Sequence, residues 1–470
     1  MASSQKPILA PPEPHTPDLP NDPRHWAILG GGLLGMVLAL RLAQRGNRVT
    51  LYEGAPCLGG LASAWSLGEI VWDRHYHVTL FSDRYVRALL TELRLEGEMQ
   101  WTSTRTGFYT AGKLYSMSNA VEFAKFPPLG LVDKARLAAT ILYASRLKQW
   151  QRLEGVTVSD WLRRWSGNRT FNNIWLPLLR AKLGENYRKA SAAFIWAIIV
   201  RMYAAREAGL KQELFGYVPG GYARTLSVFE QALRELGVEI RCESPVREVR
   251  NSSAGVELDF DHSRATADAA VLTMPAPLVP KLCPSLSDEE KRRLQAVEYQ
   301  GIVCASLLLN QPLSPYYITN ITDDWVPFTA VIEMSALVDR RHFKGKSLVY
   351  LPKYLDPADP IFRHSDEQLR ERYFAALVRM YPHFRAEDVS AFRVSRARYV
   401  FPISTLHYSQ SVPSMTTSIP NLFVVNSSQI VNGTLNANET IQLAERAAAL
   451  LAQQSSGGLL ESQATRQSVA

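Results

Sequence analysis

The stretch Trp26 to Ala62, WAILGGGLLGMVLALRLAQRGNRVTLYEGAPCLGGLA, decides the fold. Four apolar residues, Trp26 to Leu29, predict a short buried strand. They run into Gly30-Gly31-Gly32-Leu33-Leu34-Gly35, which fits G-x-G-x-x-G. An apolar run then predicts a helix from about Leu33 to Arg45, ended by Gly46-Asn47, a common helix C-terminal pair. Arg48 to Tyr52 alternates as a second strand and stops at Glu53. Strand, glycine loop, helix, strand and acid in that order make a dinucleotide-binding fingerprint.

Each part has a physical reason. Gly30 turns the chain off the strand, Gly32 leaves the backbone open to a pyrophosphate, and Gly35 lets the helix close onto the sheet. Free N–H groups at the helix N-terminus, around Leu33 and Leu34, face the anion. Glu53, eighteen residues beyond Gly35, is placed to accept hydrogen bonds from a ribose diol. The competing reading is an ordinary β-α-β crossover with a glycine-rich turn.

Composition narrows the class. The chain has 470 residues, 46% apolar and 20% charged, the balance of a globular protein with two or three lobes. No apolar run approaches the roughly 18–20 residues that span a bilayer. The proline-rich N-terminus, 1–24, reads as a disordered arm, and 454–470 as a flexible tail. Cys57, Cys242, Cys283 and Cys304 show no metal or disulfide spacing, which points to a reducing, cytoplasmic setting and no metal. A covalent role for Cys57 beside the nucleotide loop stays open.

Net charge is +8, unevenly spread. From Leu131 to Lys211 fifteen Lys or Arg face five Asp or Glu. That block is a solvated helical surface, a funnel for an anionic substrate, or a peripheral contact with anionic lipid. No nucleic-acid module accompanies it.

Beyond Glu53 the chain reads Gly54-Ala55-Pro56-Cys57-Leu58-Gly59-Gly60-Leu61-Ala62. An acid, a short spacer and a Gly-Gly pair resemble the flavin amine oxidase superfamily of FAD enzymes, which includes protoporphyrinogen oxidases and phytoene desaturases. The resemblance implies that Gly59, Gly60, Leu61 and Ala62 lie against the ribityl and pyrophosphate part of FAD. Further on, a Gly220-Gly221 turn, a helix Ala223 to Leu236, a strand Val238 to Arg241 and a strand Pro245 to Val249 follow the superfamily's order. There it implies that the Val246 backbone meets the adenine. The last block is a buried strand, Asn421 to Asn426, then a helix from about Ala437 to Leu451 with Asn436 as cap and Glu439 at its third position. The resemblance implies that this helix start, with Asn436 and Asn438, faces the flavin pyrimidine and stabilises the reduced ring. Asn426 stands where Gly-Asp or Gly-Glu is usual and can bond a ribityl hydroxyl. The three blocks cover under half the chain.

Between the blocks, Ile70 to His77 predicts a strand that puts His75 and His77 on one face. Arg74 occupies a position where the superfamily usually has glycine. Phe108 to Tyr115 reads as a hairpin turning at Ala111-Gly112. Leu131 to Trp150 is an amphipathic helix, Val158 to Trp165 a second one capped by Thr157 or Ser159, and Asn172 to Leu183 a third, kinked at Pro177. Trp161, Trp165, Trp175 and Trp196 are packing residues or pocket lining. Glu298 to Leu309 reads as a strand, its part Ile302 to Leu309 apolar enough to be buried and without a sign of chemistry, and Phe81 to Leu95 reads as a helix.

These readings combine into an α/β fold. A discontinuous Rossmann-type FAD-binding domain (25–100, 215–280, 395–453) carries a mixed α+β substrate domain (101–214, 281–394). The expected function is an FAD-dependent oxidoreductase that moves a hydride from a substrate C–H bond to flavin N5. The substrate would be a small hydrophobic or anionic molecule; no catalytic residue is assignable. The alternatives are a redox-neutral flavoenzyme similar to UDP-galactopyranose mutase, and a non-catalytic FAD scaffold.

Overall fold

The computed structural model describes residues 23–207, 214–431 and 433–467. Of the expected N-terminal arm, 1–22 lie outside the described residues. Arg24 does not belong to a loose arm, because its guanidinium bonds Asn421 Oδ1 at 2.8 Å.

Strand β1 (His25–Leu29) is followed by helix α1 (Leu33–Gln44) and strand β2 (Arg48–Tyr52). β1 is the middle of a five-stranded parallel sheet. Glu239–Arg241 and β2 lie on one side of it, and Ala269–Leu272 and Leu422–Val424 on the other. Parallel strands covered on both faces read as continuous apolar runs, and strand alternation sorts this one. Trp26 and Ile28 join Val49, Leu51 and Val271 in a core shared with α1 and the C-terminal helix. Ala27 and Leu29 point to the opposite face, against Tyr52, Leu272 and the antiparallel meander of Glu248–Ser252, Gly255–Asp259 and Arg264–Ala267. Arg41 of α1 ties two further helices to it, bonding Glu92 of Arg84–Glu92 at 2.9 Å and Glu445 of Ala437–Gln467 at 2.8 Å.

A seven-stranded mixed sheet forms the second layer. Its order is Val389–Pro402, Tyr299–Leu309, Ser347–Leu355, Ala330–Glu333, Ile318–Ile321, Thr106–Thr110 and Lys113–Ser116. One face, with Val303, Ala305 and Leu307, is covered by the helix Asp366–Met380 through Leu369, Tyr373 and Leu377. The other face, with Ile302, Cys304 and Leu308, packs on the helical lobe through Phe171, Leu179, Leu183 and Phe194. The two-stranded hairpin Ala64–Leu67/Ile70–Asp73 enters this second core through Leu67 and Trp72.

Several boundaries differ from the sequence reading. The strand expected over Pro245 to Val249 begins at Glu248; Pro245 has no N–H to give a ladder. The strand from Ile70 ends at Asp73, so His75 and His77 lie in irregular chain and share no strand face. The helix expected over Phe81 to Leu95 covers only Arg84–Glu92, and Leu131 to Trp150 stops at Arg146. Pro177 sits in the first turn of Leu176–Leu183, where its missing N–H costs nothing, and the irregularity precedes it as a wide turn over Phe171–Trp175. The backbone of the expected loose tail continues as helix to Gln467. The hairpin turns at Ala111-Gly112, φ +50° and +72°, as read.

A Cβ on Gly35 would run into the carbonyl of Gly30 and lie 3.3 Å from Ile28 Cγ2. G35A should therefore cost about 1–3 kcal/mol through overpacking at the α1–β1 contact. Urea denaturation of wild type and variant measures it, and an unchanged midpoint would refute the packing account.

Candidate functional site

The glycine loop and the Gly59-Gly60 turn form one backbone platform. Gly59 N–H donates to the Gly31 carbonyl at 2.8 Å, and Gly32 and Gly59 form an isolated parallel bridge. At Gly32 the nearest atom to an added Cβ is Gly60 Cα, 4.0 Å away, so the loop is open where an anion would approach. Gly32 caps α1 without a side-chain hydrogen bond. The first-turn N–H groups at Leu33, Leu34 and Gly35 have no carbonyl a turn before them. Gly60, Leu61 and Ala62 form a single tight turn beside this platform.

Glu53 ends β2 with its carboxylate on the same platform. One oxygen accepts from Gly31 N–H at 2.7 Å and the other from Ala55 N–H at 2.8 Å. Both oxygens keep a lone pair for a ribose diol. The chain before Val246 runs alongside, with Ser244 N–H donating to the Glu53 carbonyl at 2.9 Å and Glu243 N–H to that of Ala55 at 3.0 Å. Val246 itself packs, half-buried, against the meander core.

The three asparagines separate in role. Asn426 is buried; its Oδ1 accepts from Ser428 N–H at 3.0 Å and the Ser428 hydroxyl at 2.7 Å, while its Nδ2 has no partner. Asn436 caps the C-terminal helix by accepting from Glu439 N–H at 3.1 Å. The Glu439 carboxylate turns instead towards Gly433. Asn438 Oδ1 is engaged within the protein, by Tyr85 N–H at 2.9 Å, at the start of the helix Arg84–Glu92. Leu435, just before the cap, packs against both the nucleotide-side core and the substrate-side core.

Where the layers meet, Asp73, His75, Tyr76 and His77 turn inward. Asp73 is buried and accepts from Tyr222 N–H at 2.8 Å; burial pushes its pKa up to about 7. His75 is wedged between the Leu61 carbonyl (Nδ1, 3.2 Å) and the Ser395 hydroxyl (Nε2, 3.1 Å), and burial lowers its pKa to about 4. This clamps the Gly60–Ala62 turn to the seven-stranded sheet. His77 faces Tyr222 at 4.9 Å between ring centroids and is lowered to about 3, by burial first and His75 second. The Arg74 guanidinium lies over Trp65. Among the described residues no group of His, Cys, Asp and Glu could hold a metal ion, and the four cysteines are unbridged.

The residues fit a bound dinucleotide. An uncapped helix N-terminus, an open loop at Gly32, a carboxylate at the strand end and an orphaned Asn426 amide all lie on the nucleotide side. A family model, flavin containing amine oxidoreductase, matches residues 35–452. The chain belongs to this family. It is 28% identical over 291 residues to a carotenoid phi-ring synthase from Streptomyces griseus, covering 57% of this chain and 56% of that protein. To a coproporphyrinogen III oxidase from Mycobacterium tuberculosis it is 26% identical, over 55% of this chain and 61% of that one. The matches therefore span little more than half the length of these relatives. Among solved structures, an oxidoreductase from Methanosarcina mazei superposes with a TM-score of 0.70 at 16% identity, over 90% and 99% of the two chains. Its family is thus that of the flavin-containing amine oxidoreductases, and its fold is α/β.

Two residues at the layer junction had no motif to announce them. Lys182 lies in a helix read only for its kink. Gln300 is the lone amide in the apolar run Tyr299–Leu309, a polar interruption that could have drawn notice.

The titrations of this junction oppose each other. Unfolded, His75 takes a proton near its ordinary 6.5, and folded only near 4. Its stabilising contribution is complete above pH 6.5 and is lost as pH falls through about 4. His77 acts in the same direction. Asp73, raised from 3.8 to about 7, contributes fully below pH 3.8 and less as pH rises through 7. Between pH 4 and 6.5, Tm should rise with pH less steeply in H75Q than in wild type and more steeply in D73N; parallel Tm profiles would refute these assignments.

Proposed function

We propose that this flavoenzyme oxidises a small molecule by passing a hydride from a substrate C–H bond to N5 of FAD. When bound, FAD supplies the hydride acceptor. The observation that carries the reading is the position of Leu435 and Asn436. A helix start in contact with both cores supports a flavin edge facing the substrate layer there. The first-turn N–H groups left over after the Asn436 cap favour negative charge. Glu53, Gly32 and the N-terminus of α1 would hold ribose and pyrophosphate, Val246 the adenine, and Asn426 Nδ2 a ribityl hydroxyl. We assign 25–100, 215–280 and 395–453 to the FAD part and 101–214 and 281–394 to the substrate part. The five parallel strands lie in the first set; the strand Val389–Pro402 bridges the two.

Purified protein loaded with FAD and titrated anaerobically with candidate substrates tests this. Loss of the oxidised-flavin band on mixing is the expected result. Isomerisation that appears only after dithionite reduction would replace hydride transfer with redox-neutral catalysis. Failure to load FAD would overturn the reading.

The basic helical lobe supports a second contact, with an anionic bilayer. Val121, Leu131 and Val132 are 63%, 81% and 72% exposed at the starts of two helices that Lys134 ties together by donating to the Ala124 carbonyl. Lys125 stands beside them, the apolar-plus-basic pattern of a membrane-surface contact. No helix among the described residues is long and apolar enough to cross a membrane. Co-sedimentation with phosphatidylserine vesicles should be lost at high salt and in L131E/V132E; salt-independent or absent binding would refute the contact.

A further inference from the structure

The helix Leu176–Leu183 carries Lys182 into the junction between the helical lobe and the seven-stranded sheet. Its ammonium stands 3.6 Å from the ring centre of Tyr354 and 5.0 Å from that of Phe401. Tyr354 shares a 2.7 Å hydrogen bond with the hydroxyl of Tyr76. Among the described residues no carboxylate pairs with Lys182, and the neighbouring Tyr76 phenol, kept neutral by burial, supplies no counter-charge. Burial lowers its pKa, and the two aromatic faces offset part of that desolvation. Lys182 and Tyr76 are only partly buried, and both keep some accessible surface.

Gln300 is the second observation. It is fully buried, and neither its side-chain oxygen nor its nitrogen has a partner. Its backbone pairs with Phe401, one of the two rings beneath Lys182. From the other direction, a Cβ on Gly184, two residues beyond Lys182, would lie 3.9 Å from Gln300 Nε2. A half-buried cation without an anion and a fully buried amide without a partner each carry an uncompensated desolvation cost. Together with the Tyr76–Tyr354 hydroxyls they form a donor set that a ligand carboxylate would complete.

We propose that Lys182, Gln300 and the Tyr76–Tyr354 pair receive a carboxylate of an otherwise apolar substrate. The site is next to the cofactor platform, because Tyr76 follows His75, which is bonded to Leu61 of the Gly60–Ala62 turn. This rests on the oxidase reading for its place beside the flavin. It does not depend on hydride transfer, since anion binding needs no turnover. The ammonium would supply the charge, Gln300 Nε2 a hydrogen bond, and the rings an apolar floor.

The test uses oxidised, FAD-loaded protein and two probes of nearly equal shape, 4-phenylbutyrate and its uncharged amide. Binding is read from perturbation of the flavin spectrum and, independently, from quenching of tryptophan fluorescence. Wild type should prefer the carboxylate. K182M should bind it about tenfold to a hundredfold more weakly, with the amide nearly unchanged, and K182R should recover part of the loss. Q300L should weaken the carboxylate without abolishing the preference. A K182M variant that loses an unmatched buried charge should also melt at or above the wild-type temperature without ligand. Equal binding of the two probes, retained carboxylate affinity in K182M, or no carboxylate binding up to about 10 mM overturns the proposal. Normal probe binding with no flavin reduction by any substrate would instead overturn hydride transfer alone.

Discussion

The close approach of α1 to β1 at Gly35 is the constraint on which the site depends. A helix that sits against the carbonyl of Gly30 brings its own N-terminus directly over the end of β1. The uncapped N–H groups then open onto the Gly59-Gly60 turn, which pairs with the glycine loop through backbone alone. A Cβ on Gly35 would push the helix off the strand, and one on Gly60 would press on Gly32 Cα at 3.1 Å. The anion-facing geometry is a consequence of packing density.

A second constraint joins the layers. His75 bonds Leu61 on the nucleotide side and Ser395 on the seven-stranded sheet, while the Tyr350 hydroxyl donates to the Asp73 carbonyl at 2.6 Å. These bonds are inside the protein, where a broken one is not replaced by water, so they hold the two sheets in one relative position. Buried polar groups without partners, Asn426 Nδ2 on one side and the Gln300 amide on the other, mark where this interior is incomplete by itself.

Much of this was legible along the chain. Period and punctuation gave the β1–α1–β2 unit, the Ala111-Gly112 hairpin and the Asn436 cap, because each is decided by residues within a few positions of each other. The long buried strand from Tyr299 was readable for the same reason. Strand alternation does not extend to His75 and His77, because the strand ends at Asp73, whose side chain turns inward to meet Tyr222 N–H. Asn438 looked like part of a cofactor-facing helix start, yet its oxygen is engaged by Tyr85, more than three hundred residues away in sequence.

Trp26 to Ala62 by itself determined the kind of cofactor platform, since glycine spacing, helix start and terminal acid act locally and need no partner from elsewhere. The tertiary structure alone decided what faces that platform. Lys182, Gln300, Tyr76 and Tyr354 come from four separate segments and carry no spacing signal, because their meeting depends on how a helical lobe seats on a sheet. Backbone turns are short-range and leave a pattern in sequence. Compensation of a buried charge is long-range, and only the folded interior shows that it is missing.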